Sequence, residues 1–136
     1  MVQAILVEQN IEDGKKLIDA LEAVNFRIQM ALWLYDSESQ VWRLNIATPL
    51  VDERGSRYAY TDIQGVLKSI VPPLSLSLQD ISVISTENKL VKSLKKAIRV
   101  PYGLQGIRLT RNTINSIYIE DAYIYSTRAI TKIPAA

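Results

Sequence analysis

The sequence predicts an α+β domain, with a single layer of about five mostly antiparallel strands packed against about three helices. Three observations predict it. Residues 28–46 alternate as a β-hairpin around a polar turn. Three other stretches follow helical spacing. The strands come as hairpins and not as repeating strand–helix–strand units, which argues against a doubly wound parallel sheet. The chain has 136 residues, enough for one domain, 1–136, with its own core.

The elements follow in order. Asn10 reads as the N-cap of a first helix, with Asp13 at its N3 position. Ile11, Leu17, Ile18, Leu21 and Val24 share one face, and Asn25 is the stop. Gly14 costs this helix about 1 kcal/mol relative to Ala. In "RIQMALWLYDSESQVWRLNIA", Ile28, Met30, Leu32 and Leu34 alternate with Gln29, Ala31, Trp33 and Tyr35. Asp36–Gln40 is the turn, and Trp42, Leu44 and Ile46 alternate beyond it. The first of these strands is apolar on both faces, so it is buried on both sides or faces a partner. "TPLVDERGSR" reads as a loop. Ser56 caps a second helix with Ala59, Ile63, Val66, Leu67 and Ile70 on one side, and Pro72–Pro73 ends it. "ISVIS" at 81–85 is a short strand, with Ser85 in the next cap position. A third helix spans about 87–98, with Leu90, Val91, Leu94, Ala97 and Ile98 on one arc. Ile107 and Leu109 start a short strand, Asn112–Thr113 is a turn, and the last strand runs from Ile117 to Tyr125 with an irregularity near Ala122.

Composition excludes several chemistries. Hydrophobic residues make up 48% and charged residues 22%, which places the chain among ordinary globular domains. There is no cysteine and no histidine. That removes disulfides, thiolate or imidazole metal sites, and Ser-His-Asp or Cys-His nucleophiles. The glycines form no Walker A loop, no GxGxxG and no GxSxG elbow. The GxxG spacing at Gly103–Gly106 joins a helix to a strand, the wrong context for a KH loop. No basic leader precedes the apolar start, and no run approaches the ~18 residues of a membrane span, so the reading is cytoplasmic with no membrane partner. No cofactor and no bound metal are expected.

Three candidate sets remain. The first is cationic. Residues 1–68 carry ten acids and seven bases, and residues 69–136 four acids and nine bases, a swing from −3 to +5. Lys89, Lys92, Lys95, Lys96 and Arg99 fall on one arc of the third helix. Lys89, Lys92, Lys96, Arg99, Arg108 and Arg111 are the candidates for nucleic acid or another polyanion. The competing reading is a solvated helix face, with cations near the helix C-terminus favoured by the macrodipole. The second set is aromatic: Trp33, Tyr35 and Trp42 from the first hairpin, and Tyr118, Tyr123 and Tyr125 from the last strand. Rings with polar tips suit interfaces, and a symmetric dimer through an aromatic sheet face is the expected assembly. Closure of the sheet inside one chain is the alternative. The third set is acidic: Asp52, Glu53, Glu120 and Asp121. Adjacent strand residues point to opposite faces, so Glu120 and Asp121 meet at one point only if a bulge intervenes. Solvated or ion-paired carboxylates, with Arg108 or Arg111 as partner, compete with a carboxylate-dependent metal enzyme. Asp36-Ser37-Glu38 has metal-site spacing but lies where turn geometry alone calls for Asp and Ser.

"ALWLYDSESQVWRLNIATPLVDERG" and "GIRLTRNTINSIYIEDAYIY" together resemble a family of small bacterial proteins without an assigned activity. The resemblance covers the chain from the first helix to Tyr125. It implies a complete small bacterial domain and carries no residue role, cofactor or partner. The leading reading from the sequence is a non-enzymatic binding or interaction module, its expected partner a second copy of itself, with another protein or nucleic acid as the alternatives.

Overall fold

Leu32 and Trp33 are neighbours on one strand, point to opposite faces of the sheet, and are both fully buried in the computed structural model, which describes residues 5–98 and 106–125. The strand is β1 (Met30–Asp36), paired antiparallel with β2 (Val41–Ala47) from Met30↔Ala47 to Asp36↔Val41. The remaining strands among the described residues are β3 (Ile81–Ile84), β4 (Ile107–Ile114) and β5 (Ile117–Ile124). Their order is β3-β2-β1-β5-β4. All neighbours are antiparallel except β2 and β3. The helices are α1 (Glu8–Ala23), α2 (Leu50–Arg54), α3 (Ser56–Ser69) and α4 (Lys89–Ala97). The α+β class, the single mostly antiparallel sheet and the packed helices are as the sequence predicts.

The doubly apolar β1 is explained inside one chain. On one face, Ala31, Trp33, Leu44 and Ile46 pack with Leu17, Ile18 and Leu21 of α1 and Ala59 and Ile63 of α3. On the other, Met30, Leu32, Ala47, Ala122 and Ile124 pack with Val91 and Leu94 of α4. Helices therefore cover both faces, but unequally. Nine residues of α4 span about 13 Å, whereas a seven-residue strand spans about 23 Å. The sheet beyond Leu34, toward the β1–β2 turn, has no helix over this second face among the described residues. None of the described helices is long and apolar enough to cross a membrane.

Several boundaries differ from the sequence reading for local reasons. Helix α1 begins earlier, because Asn10 sits at N3 and its Oδ1 accepts the Val7 N–H at 2.9 Å. Asp13 is not a first-turn acid. It is buried, accepting the Ser75 N–H at 2.9 Å, the Ser75 hydroxyl, and Gln9 Nε2 at 2.8 Å. Burial acts to raise its pKa, but these donors outweigh it and hold the carboxyl below its ordinary value. The loop read at 48–57 contains the short α2 and the start of α3. Asn88, and not Ser85, caps α4, its Oδ1 accepting Leu90 N–H at 2.9 Å. The β4–β5 turn falls at Asn115–Ser116, both with positive φ, three residues beyond the expected site. Two consecutive left-handed residues match the twist of the flanking strands.

Gly14 fixes how α1 meets the sheet. Tyr125 Oη donates to the Ile11 carbonyl at 2.7 Å and accepts from Trp33 Nε1 at 2.8 Å. A Cβ on Gly14 would land on that hydroxyl and lie 3.1 Å from Trp33 Nε1. Gly14→Ala is therefore expected to destabilise the fold by about 2 kcal/mol, overpacking outweighing the helix propensity of Ala. Tyr125→Phe removes the hydroxyl, and in that background Gly14→Ala should cost at least about 1 kcal/mol less. Urea unfolding of the four proteins in the cycle checks this, and simple additivity would contradict the contact.

Candidate functional site

Members of all three candidate sets meet at the uncovered, turn-ward end of the sheet. Tyr35, Trp42, Thr110, Arg111, Glu120 and Asp121 line one cavity of about 220 Å³. Tyr35 and Glu120 also line a second of about 460 Å³, whose other walls include Leu34, Asp36, Arg43, Asn45, Ser82 and Tyr118. The ladder explains the second group. Leu34 is flanked by Arg43 on β2 and Ala122 on β5, and Asn45 by Ser82 on β3. These side chains share the face that α4 leaves open.

The ion pair beside the cavity is well formed. Arg108 Nε and Nη2 reach the two oxygens of Asp121 at 2.6 and 2.7 Å, a bidentate geometry. Thr110 Oγ1 adds a contact to Asp121 at 3.3 Å. The Arg108 guanidinium also lies 5.3 Å from the centroid of Trp42, whose ring is 5.6 Å from that of Tyr35. The hydrogen bond from Arg108 holds the Asp121 carboxyl below its ordinary value, burial opposing it.

The Glu120–Asp121 step breaks the strand pattern. Along β5, Ile119, Ala122 and Ile124 are buried, a spacing of three and then two. The change of phase falls at Glu120–Asp121, close to the irregularity expected near Ala122. Opposite it, Arg111 adopts φ 51°, and the ladder passes from Thr110↔Asp121 to Asn112↔Ile119 with no bridge at Arg111. The two carboxylates therefore do border one cavity. Asp121 is tied to Arg108, whereas the Glu120 carboxylate has no hydrogen bond or ion pair among the described residues.

The other candidates lie elsewhere. Asp52 accepts the Ser85 hydroxyl at 2.8 Å, and Glu53 pairs with Arg27. Ser85 follows β3, three strands from β5, about 14 Å at ordinary strand spacing. The four acids do not converge, and no group of three or more His, Cys, Asp or Glu among the described residues is arranged to hold a metal ion. Trp33, Trp42 and Tyr125 are core residues of a single chain. Tyr123 is half-buried, edge-on to Tyr125 at 5.1 Å, and burial raises its pKa. Tyr118 is 59% exposed. Lys89, Lys92, Lys95 and Lys96 are exposed on α4, with Lys92 3.1 Å from Glu87. The buried side of α4 includes Ser93, while Ala97, expected on the apolar arc, is exposed. Arg99 and most of the GxxG stretch lie outside the described residues. The cations do not form one stripe: α4 covers one face of the sheet, and Arg108 stacks over Trp42 on the other.

Sequence reasoning missed Arg43, Asn45, Ser82 and Thr110. The first two are the polar alternates of β2, whose only signal is period-two patterning, and such positions normally mean plain solvent exposure. Comparison with protein-family models, with curated proteins and with solved structures gives no match for this chain.

The Asp121 carboxyl gives a pH signature. Its folded pKa is depressed, so its contribution is present above the unfolded value near 4 and is lost as pH falls through the lower folded value. The pair is partly exposed, which limits the effect to about 1 kcal/mol or less. Asp121→Asn should cost that amount at pH 7, and the difference from wild type should vanish toward pH 2 in urea titrations. A cost independent of pH would contradict the assignment.

Proposed function

We propose that this chain is a non-enzymatic interaction module that self-associates through the turn-ward end of its sheet. The observation that carries this is the placement of Tyr118. It is the one large aromatic of the described strands that stands 59% exposed, and it borders a polar trough left uncovered by α4. An exposed ring on a rigid sheet beside charged groups is the pattern of an interface anchor. The trough is also charge-self-complementary, with Arg43 on one side and Asp36 and Glu120 on the other, which suits a two-fold contact. The aromatic residues expected at the interface divide accordingly: Trp33, Trp42 and Tyr125 hold the domain together, and Tyr118 is the residue offered outward.

The polyanion reading has a narrower footing. It rests on the lysines of one nine-residue helix, of which Lys92 faces Glu87, without Arg108, which is held by Asp121. An acid-dependent metal enzyme finds no group of three or more acids arranged to hold a metal ion among the described residues.

Sedimentation velocity from micromolar to near-millimolar protein tests self-association. The wild type should sediment at twice the chain mass of 15.3 kDa, and Tyr118→Ser should shift the population to monomer by weakening association at least about tenfold. Wild-type protein that stays monomeric at the highest concentration would overturn the proposal.

A further inference from the structure

Five described residues other than glycine have positive φ. Four of them end or turn an element: Asn25 after α1, Gln40 at the β1–β2 turn, and Asn115 and Ser116 at the β4–β5 turn. Arg111 is different, because it lies inside β4 with φ 51°. Left-handed backbone is unfavourable for any residue with a Cβ, and no turn requires it there. Such outliers persist where the surroundings impose them, and they concentrate at binding sites.

The distortion has a chemical consequence. By the register on either side, Arg111 stands opposite Glu120. Opposite charges facing each other on adjacent strands ordinarily pair, and the neighbouring Arg108 and Asp121 do so at 2.6 Å. Arg111 and Glu120 do not, although both line the same cavity of about 220 Å³. A guanidinium and a carboxylate are thus held apart in one concavity walled by Tyr35 and Trp42. Each keeps its hydrogen-bonding capacity for something else.

We propose that Arg111 and Glu120 form a recognition site for a small zwitterionic group, its carboxylate on Arg111 and its ammonium on Glu120. The planar guanidinium suits a carboxylate, and the carboxylate of Glu120, with Tyr35 alongside, suits an ammonium. Two sources carry this chemistry: a free α-amino acid, and the terminal residue of a chain ending in lysine, which offers a carboxylate and a side-chain ammonium. The site goes beyond self-association and does not need it, since every group it uses comes from one chain.

Titration of the ¹⁵N-labelled protein by NMR tests it, with each common L-amino acid and with acetyl-Gly-Lys as probes. The expected result is saturable shifts at Tyr35, Thr110–Asn112 and Glu120–Asp121. Arg111→Gly, which tolerates the backbone, and Glu120→Gln should each weaken binding at least about tenfold in proteins whose spectra remain folded. The amide and the N-acetyl form of a binding amino acid should bind at least about tenfold more weakly. Binding by amino acids identifies the free source, and binding by acetyl-Gly-Lys alone identifies the chain end. No shift with any probe, shifts elsewhere, or unchanged binding by Arg111→Gly would overturn the proposal. Loss of self-association with the shifts intact would leave this site standing and remove the dimer.

Discussion

The arrangement depends on one buried contact, in which the Tyr125 hydroxyl is held between the Ile11 carbonyl of α1 and the Trp33 indole of β1. Tyr125 directly follows β5, and its N–H bonds the Ala31 carbonyl at 3.0 Å. The residue therefore joins a helix, the central strand and the end of β5. A phenol and an indole are costly to bury without partners, and here they satisfy each other and a helix carbonyl. The contact is possible only because Gly14 has no side chain. Gly14, Trp33 and Tyr125 are widely separated in sequence, so the contact also closes long loops and fixes α1 over the sheet.

With α1 and α3 fixed on one face, α4 is left to cover the other, and it is short. The apolar half of that face, around Met30, Leu32, Ala122 and Ile124, lies beneath it. The polar half, around Arg43, Asn45, Ser82 and Glu120, lies beyond it. The position of the polar trough is thus set by helix length and by where β1 changes from fully buried to exposed, between Trp33 and Asp36. The ladder carries Glu120 and Arg111 to the same end of the sheet, where both border the smaller cavity beside Tyr35 and Trp42.

The parts of the fold with strong period signals were legible. The first hairpin and most of the apolar positions of α1, α3 and α4 follow from alternation or helical spacing, although Val24 and Ala97 are exposed, and the two apolar faces of β1 fit burial and a partner contact equally well. The β2–β3 parallel pairing was not legible, because a four-residue strand carries no signal of direction. Asn10 and Ser85 show why a cap is hard to place from sequence: each is a good cap residue, but the cap is the one whose side chain reaches a free backbone N–H, and at α4 that is Asn88. The site was legible as residue types and not as a place. Trp33 and Tyr35 are two positions apart on one face, yet one is core and the other borders the cavity. Burial along a strand depends on what packs over it, and the sequence of the strand does not contain that. Glu120 and Asp121 border one cavity beside the distorted backbone of Arg111, a residue with no local sign of a left-handed conformation in the sequence.

The hydrogen exchange of the two tryptophan indoles tests the account most directly. Trp33 is fully buried and donates to Tyr125 Oη at 2.8 Å, while Trp42 lies at the cavity end of the same sheet face. If the Gly14–Trp33–Tyr125 junction holds the fold together, the Trp33 indole N–H exchanges only with global unfolding, and its protection equals the unfolding free energy measured with denaturant. The Trp42 indole exchanges faster, by local opening. Equal and rapid exchange at both indoles, in protein that remains folded, would contradict the junction and the architecture built on it.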